Sequence, residues 1–368
     1  MLLSKLWLTD FRSYGELEVG FADGLTAVLG PNGHGKTNLL EAIGYLATLD
    51  SFRGAPTEAL IRDGAQQAVI RAEGSRDGRD LLLEAEIVAG GRNRIFLNRQ
   101  KLPRARDLLG ALRVTVFSPD DLALVKGGPG GRRRYLDDVL ISLHPRYDAL
   151  QGDVERILRQ RNALLKQCAS ARRLDESASS TLDVWDAKLA EAGTLLGEAR
   201  RDLVARLEPA LARAYAAVAS SPAGTEPVAL RYDAPWMAHG LATALADVRL
   251  DELRRGVTLA GPHRDDLVVH LDGLPARTHA SQGEQRALAL AMRLGGHSVV
   301  TAATGTPPVL LLDDVFSELD PVRSDALLDN LPAGQAILTS AAGLPPRARP
   351  DEVVRIEASV MTHPAIAP

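Results

Sequence analysis

The chain has 368 residues, 45% hydrophobic and 24% charged, which excludes a disordered tail or a fibre and leaves room for two domains. Its 43 Lys and Arg against 47 Asp and Glu leave a formal charge of -4, so any nucleic-acid contact is local, and 4% aromatic residues argue against an extended base-stacking groove. The single cysteine, Cys168, excludes an intramolecular disulfide and a cysteine-based zinc site and points to a reducing, cytoplasmic compartment; no stretch has the length of a signal sequence or the roughly 20 apolar residues of a membrane span.

In chain order, GLTAVLG (24–30) is a short apolar run ending in glycine, and KTNLLEAIGYLATL behind it sets Leu39, Leu40, Ile43 and Leu46 at helical spacing. The pattern predicts strand, loop, helix. The loop itself, GPNGHGKT (30–37), fits the P-loop spacing G-x-x-x-x-G-K-[ST]. Glycines there let backbone N–H groups curl around phosphate oxygens, Lys36 neutralises the terminal phosphates, and Thr37 offers a hydroxyl to Mg²⁺. Gly30, Asn32, Gly33, Gly35, Lys36, Thr37 and Asn38 form the candidate ATP-binding set. The alternative, a plain glycine-rich turn, leaves Lys36 unexplained.

From about 66 to 125, AVIRAEG, LLLEAEIVAG, RIFLNRQ and RVTVFS alternate between apolar and polar, the pattern of antiparallel strands. A basic stretch within this region carries Arg92, Arg94, Arg99, Lys101, Arg104 and Arg106, suited either to salt-sensitive DNA phosphate contacts or to a solvated charged face. After GGPGG, Leu136, Leu140, Leu143, Tyr147, Leu150, Val154 and Ile157 predict a long helix interrupted at Pro145. At its start Arg132, Arg133 and Arg134 sit where the helix dipole disfavours cations, which hints at DNA binding; Asp137 and Asp138, four residues past Arg133 and Arg134, offer self-neutralisation instead. SARRLDESASS reads as a polar linker, and Leu182, Trp185, Leu189, Leu196, Leu203 and Leu207 predict a second helix.

Beyond about 255 strands and helices alternate again, with VLLLDD (309–314), QAILTS and VVRIEA as buried strands. The acids ending VLLLDD either cap a strand or, beside a P-loop, place Asp313 on Mg²⁺ and Asp314 on the attacking water. Before it, SQGEQRALALAM (281–292) puts Ser and Gly at a helix start, where unpaired N–H groups either cap themselves or bind an anion. The expected division is 1–128 and 255–368 as the two parts of one α/β ATPase head, with 129–254 as an inserted helical arm.

Taken together, the P-loop, the Ser-x-Gly-x-Gln helix start, the Asp-Asp strand and SELD (317–320) are similar to the ATP-binding-cassette head of chromosome-maintenance ATPases. Within that branch the chain resembles the RecF family of recombination mediators through LTDFRSY, GPNGHGKTNLLEAI, FSPDDLALVKG, RRRYLDD, GPHRDDL, SQGEQR and LLLDDVFSELD. The resemblance implies that Ser281, Gly283, Glu284 and Asp320 contribute to ATP held by the P-loop of a second protomer, that Arg12 lies near the nucleotide, and that ATP gates a homodimer. It further implies binding to duplex DNA and single-strand/double-strand junctions, and work with RecR, RecO and RecA, with no membrane partner. His263 and Arg264, in GPHRDD, belong to the resemblance without a role derived from their chemistry. Asp314 stands where many cassette ATPases carry Glu, Thr339 and Ser340 stand near the switch-histidine position of transporters, and FSPDDL replaces a glutamine loop. These departures predict slow hydrolysis and argue against a transporter; the short arm argues against a nuclease-associated chromosome ATPase, and a scaffold with negligible turnover stays open.

Overall fold

The computed structural model describes residues 2–76, 78–171, 175–219, 228–317, 319–357 and 360–362. In chain order the strands are β1 (Leu2–Phe11), β2 (Tyr14–Gly20), β3 (Leu25–Leu29), β4 (Gln67–Arg76), β5 (Arg79–Val88), β6 (Arg94–Leu97), β7 (Gln100–Lys101), β8 (Val114–Phe117), β9 (Ala229–Asp233), β10 (Asp266–Leu271), β11 (Leu274–Pro275), β12 (Val309–Leu312), β13 (Ala336–Ser340), β14 (Glu352–Glu357) and β15 (Val360–Thr362). The helices are α1 (Lys36–Thr48), α2 (Leu122–Lys126), α3 (Pro129–Leu143), α4 (Arg146–Ala171), α5 (Glu176–Ala219), α6 (Leu241–Arg255), α7 (Ala276–His279), α8 (Gln282–Thr304) and α9 (Pro321–Asp329).

Chain contacts separate two units. The first contains the described residues of Met1–Val125, Pro209–Pro227 and Ala280–Pro368. Its nucleotide-side sheet runs β15-β14-β3-β13-β12-β8, with β14, β3, β13, β12 and β8 all parallel. Every residue of β12 and β13 is buried, as expected of continuous apolar runs in a parallel sheet. A second, antiparallel sheet runs β2-β1-β4-β5-β6-β7. Helix α1 buries Leu39, Leu40, Ile43 and Leu46 in the core these sheets share with Leu6, Leu8, Phe11 and Ile70. RVTVFS, read as a further antiparallel strand, is instead β8, parallel to β12. Four residues of partly buried β-branched sequence do not distinguish the two pairings.

The second unit comprises Lys126–Glu208 and Val228–His279. The predicted long helix breaks at Pro145 into α3 and α4, with Leu136, Leu140, Leu143, Val154 and Ile157 buried along the expected seam. The second helix, α5, extends to Ala219 and carries Pro209 in its interior, at the residue where the two units divide. Of the polar linker, residues 172–174 lie outside the described residues, and α5 already begins at Glu176. The unit also holds a sheet in the order β11-β10-β9, so residues 255–279 group with the helices and not with the head as the sequence division had them. Alternating burial along β10 marks an antiparallel strand with one covered face, and its partner β9 lies in this unit. Conversely, the end of α5 packs on α8: a Cβ on Gly295 would stand 3.1 Å from the Leu211 backbone nitrogen. This close approach admits only glycine without local movement.

A fully buried arginine holds the helices of the second unit. Arg161 donates from Nε to Asp186 (2.7 Å), from Nη1 to Thr258 Oγ1 (2.9 Å) and from Nη2 to Glu252 (2.6 Å). Glu252, itself fully buried, also accepts the Leu259 N–H at 2.7 Å. Removing one partner leaves the other charge buried and uncompensated. We predict that Arg161→Met costs about 3–5 kcal/mol in equilibrium urea unfolding, and that adding Glu252→Leu recovers part of the loss; a single-variant cost below about 1 kcal/mol would contradict this account.

Candidate nucleotide-binding site

The P-loop leaves β3 at Gly30 and enters α1 at Lys36. Gly33 and Gly35 take φ of 81° and 100°, a region that disfavours side chains. A Cβ on Gly30 would lie 2.2 Å from the Ile356 carbonyl oxygen, and one on Gly35 would lie 2.7 Å from the Tyr14 hydroxyl. Close backbone approach therefore requires glycine at position 30, turn geometry requires it at 33, and at 35 turn geometry is joined by the Tyr14 side chain. No side chain caps α1, so its first N–H groups remain available to an anion. Asn32 and Gly33 are exposed at the crest, while Asn38 donates to Ser13 Oγ at 2.9 Å.

Lys36 is buried and donates to the carbonyls of Gly30 (2.7 Å) and Pro31 (2.9 Å). Burial lowers its pKa, against the opposing pull of Asp314 and Asp313. Thr37 Oγ1 lies 3.0 and 2.9 Å from the two carboxylate oxygens of Asp313, to which Thr339 Oγ1 donates at 2.8 Å. Burial raises the Asp313 pKa despite these donors; a nearby cation reverses that shift. Asp314 adopts φ 46°, its N–H reaches Thr339 Oγ1 at 2.9 Å, and its Oδ1 accepts the Ala341 N–H at 3.4 Å.

The donor set fits a nucleotide with Mg²⁺. A hydroxyl and a carboxylate stand together as hard oxygen ligands at the base of the glycine cradle, beside a buried ammonium. Mg²⁺ is ordinarily held by one or two protein oxygens, with water and phosphates completing its shell.

Arg12 is committed elsewhere than the loop: it forms a bidentate pair with Glu41 at 2.8 and 2.7 Å. Glu41, fully buried on α1, also accepts from Ser51 and lies 3.6 Å from Arg53. Sequence reasoning missed Glu41 and Thr339. A glutamate in the middle of the apolar run LLEAIGYL was the available signal for the first; the hydroxyl at the switch position was the signal for the second.

Ser281 caps α8. Its Oγ accepts the Glu284 N–H at 3.4 Å, and the Glu284 carboxylate accepts the Ser281 N–H at 2.7 Å, a reciprocal capping box. These hydrogen bonds lower the Glu284 pKa. Ser281 and Gln282 remain exposed. A Cβ on Gly283 would lie 2.7 Å from Arg323 Nη1, and Arg323 is held by Asp320, which caps α9. Glu318 of SELD lies outside the described residues. FSPDDL is tied to α8: Asp121 accepts the Ser118 N–H and pairs with Arg293 of α8 at 2.6 Å.

The candidate DNA residues separate into two groups. Arg94 pairs with Glu86 at 3.0 Å and Arg104 with Asp107 at 3.0 Å. Arg132 is buried, bidentate to Asp266 at 2.7 and 2.9 Å; the cation at the start of α3 is used inside the fold. Arg92, Lys101 and Arg134 are exposed without ion-pair partners among the described residues, whereas Arg133 is half-buried. The expected pairing of Arg133 with Asp137 does not form, because Asp137 is bidentate to Arg200 at 2.7 Å. In GPHRDD, His263 and Arg264 both meet the Thr258 carbonyl, and Asp265 accepts from Tyr232 and Trp236.

A parallel sheet with a P-loop, paired carboxylates at the end of β12 and a capped helix α8 defines an ATPase head of the ATP-binding-cassette and chromosome-maintenance class. Residues 2–340 match the model for the RecF/RecN/SMC N-terminal domain. Within that class the chain belongs to the RecF family. It is 47% identical over 353 residues to the DNA replication and repair protein RecF of Streptomyces avermitilis, covering 93% of this chain and 94% of that protein. It is 46% identical over 354 residues to RecF of Frankia alni, covering 93% of each. A solved structure of the recombination mediator RecF with ATP, from the RecFOR pathway, aligns with TM-score 0.89 and 27% identity over 99% of this chain and 98% of that one. An Smc head bound to the C-terminal winged-helix domain of ScpA shares the fold, at TM-score 0.58 and 16% identity, over 98% of this chain and 96% of that one.

Thr339→Val keeps shape but removes the hydroxyl shared by Asp313 and the Asp314 N–H. We predict that Mg²⁺-dependent ATP affinity falls about tenfold or more in calorimetric titration, with a smaller loss in EDTA. An equal loss in both conditions would assign Thr339 to the fold alone.

Proposed function

We propose that this chain is an ATP-gated DNA clamp of recombinational repair and replication-fork maintenance. The observation that carries the reading is the conjunction, within one unit, of the P-loop cradle with Thr37 on Asp313 and an exposed, capped helix start at Ser281. Gly30, Asn32, Gly33, Gly35 and Asn38 shape the phosphate cradle, Lys36 offsets phosphate charge, and Thr37 with Asp313 would hold Mg²⁺. Bound there, Mg²⁺ supplies charge neutralisation to the phosphates. Asp314 orients the attacking water and accepts its proton.

Ser281, Gly283, Glu284 and Asp320 then meet ATP held by the second copy, so ATP assembles a two-site homodimer. The Gln282 and Gly283 N–H groups, which the capping box does not use, suit a phosphate from outside the chain. Arg12 supports the site through Glu41. The short Asp314 side chain, already engaged by Ala341 N–H, favours weak, DNA-stimulated hydrolysis that resets the dimer; the same engagement favours, as a second reading, a scaffold with negligible turnover. Arg92, Lys101 and Arg134 are the better-placed DNA contacts, while Arg94, Arg104 and Arg132 are tied to carboxylates. Binding at single-strand/double-strand junctions and loading of RecA with RecO and RecR in the cytoplasm complete the reading. Asp314 in place of Glu, and Thr339 and Ser340 near the switch-histidine position, argue against a transporter-energising role.

The test is solution mass by light scattering without nucleotide, with ATP–Mg²⁺ and with ADP. ATP alone is expected to double the mass, and Lys36→Met or Ser281→Arg each to abolish the change. A chain that binds ATP and stays monomeric leaves Ser281 as a helix cap and overturns the clamp.

A further inference from the structure

Two motifs whose residues the ATP site does not use, RRRYLDD and GPHRDD, meet in the second unit around a cavity of about 210 Å³. Arg133, Arg134, Arg200 and His263 line it, together with Asp137 and Glu155. The charges do not cancel. Asp137 is consumed by Arg200, while Glu155 accepts only from the neutral Gln151 amide at 3.3 Å, so three guanidiniums stand against two carboxylates and an excess of one positive charge remains. Arg133 spends one N–H on the Asp265 backbone carbonyl at 2.7 Å and has no carboxylate partner among the described residues, nor does exposed Arg134. Several guanidinium donors therefore stay open at the mouth of a partly enclosed space.

His263 uses Nε2 on the Thr258 carbonyl at 3.2 Å, while its buried Nδ1 has no partner. Val154, Leu158, Leu196 and Pro262 supply an apolar wall, which strengthens any ion contact by excluding water. Burial first, and then the neighbouring Arg200, lower the Arg133 pKa against the opposing pull of Asp266, Asp265 and Asp137. The volume is below the roughly 300 Å³ at which pockets for drug-sized ligands begin, too small for a nucleotide and sufficient for one tetrahedral oxyanion.

We propose that this cavity is a socket for a single phosphoryl group, gripped by Arg133 and Arg134 and separate from the P-loop. Its source is a DNA backbone phosphate or free phosphate. The socket rests on the cavity alone, and only its DNA source rests on the DNA-binding reading above.

The test uses the full chain saturated with Mg²⁺–ADP, titrated with inorganic phosphate against chloride at matched ionic strength. The readout is the His263 imidazole signal in ¹H–¹⁵N spectra, assigned with His263→Gln, with the P-loop already filled by Mg²⁺–ADP. Arg134→Gln changes an exposed side chain. Gly130→Asp is a second route, because a Cβ there meets nothing nearer than Arg133 Nη2 at 4.0 Å and an acid in the first helical turn is favourable; its carboxylate occupies the anion's place. Saturable His263 shifts in wild type, weakened about tenfold in each variant, are expected. Signals that phosphate leaves unmoved, or moves equally in all chains, overturn the socket.

Duplex-DNA anisotropy across a salt series identifies the source. A DNA source lowers the salt slope by about one in both variants. Unchanged DNA binding beside a working phosphate response assigns the socket to free phosphate. If wild type binds no DNA at all while phosphate still moves His263, the DNA reading fails and the socket stands.

Discussion

The carboxylate of Asp313 joins distant parts of the chain at one point. Thr37, 276 residues earlier, and Thr339, 26 residues later, both donate to it, so the loop start of α1, the end of β12 and the end of β13 share one buried acceptor. Without a cation the burial is unfavourable for the charged form, as its raised pKa states. The carboxylate is tolerated there because hydroxyls stand in for missing solvent. Lys36 is in a matched condition: its ammonium rests on two loop carbonyls in a place that burial makes costly. Both charges are held ready for a ligand of opposite sign, and the glycines keep the space between them open.

Helix α8 is built on a different principle. Its first turn satisfies itself through Ser281 and Glu284, and its body is pinned by Arg293 to Asp121. A helix start that needs no ligand to form can be rigid before it meets one. Electrostatics elsewhere follow a similar economy of free charge. Arg132, Arg161 and Arg200 are buried and each is paired with a carboxylate, which is the condition under which buried charge is tolerated. The few cations left over, among them Arg92, Lys101 and Arg134, explain how a chain with net charge -4 can still present local positive surface.

Legibility in the sequence followed interaction range. The P-loop, the Leu39–Leu46 stripe, the Pro145 break and the buried run of β12 depend on neighbours within a few residues, and each is where the pattern placed it. Arg132 shows the limit. Its location at a helix start signalled a use, yet the partner, Asp266, is 134 residues away, and no local rule selects it over DNA. Asp137 had a plausible partner at helical spacing in Arg133 and instead pairs with Arg200. For the same reason the sequence division sets residues 255–279 with the head: alternation along Asp266–Leu271 marks a one-sided strand but not the sheet it joins. Glu41 and Thr339 were visible as residues, and their roles emerged only when folding brought Arg12 and Asp313 to them.

Strand order has a consequence for the birth of the protein. β3, which leads into the P-loop, is flanked by β13 and β14, and Gln335 closes the edge by exchanging hydrogen bonds with Leu3 at 2.7 and 2.6 Å across 332 residues. During synthesis β3, the first strand of its sheet to be made, must wait, unpaired on both sides, for almost the entire chain to leave the ribosome. Such non-local pairing slows folding and lengthens the exposure of aggregation-prone strands. A nascent fragment therefore cannot assemble the nucleotide cradle, and chain completion itself acts as the checkpoint for a competent head.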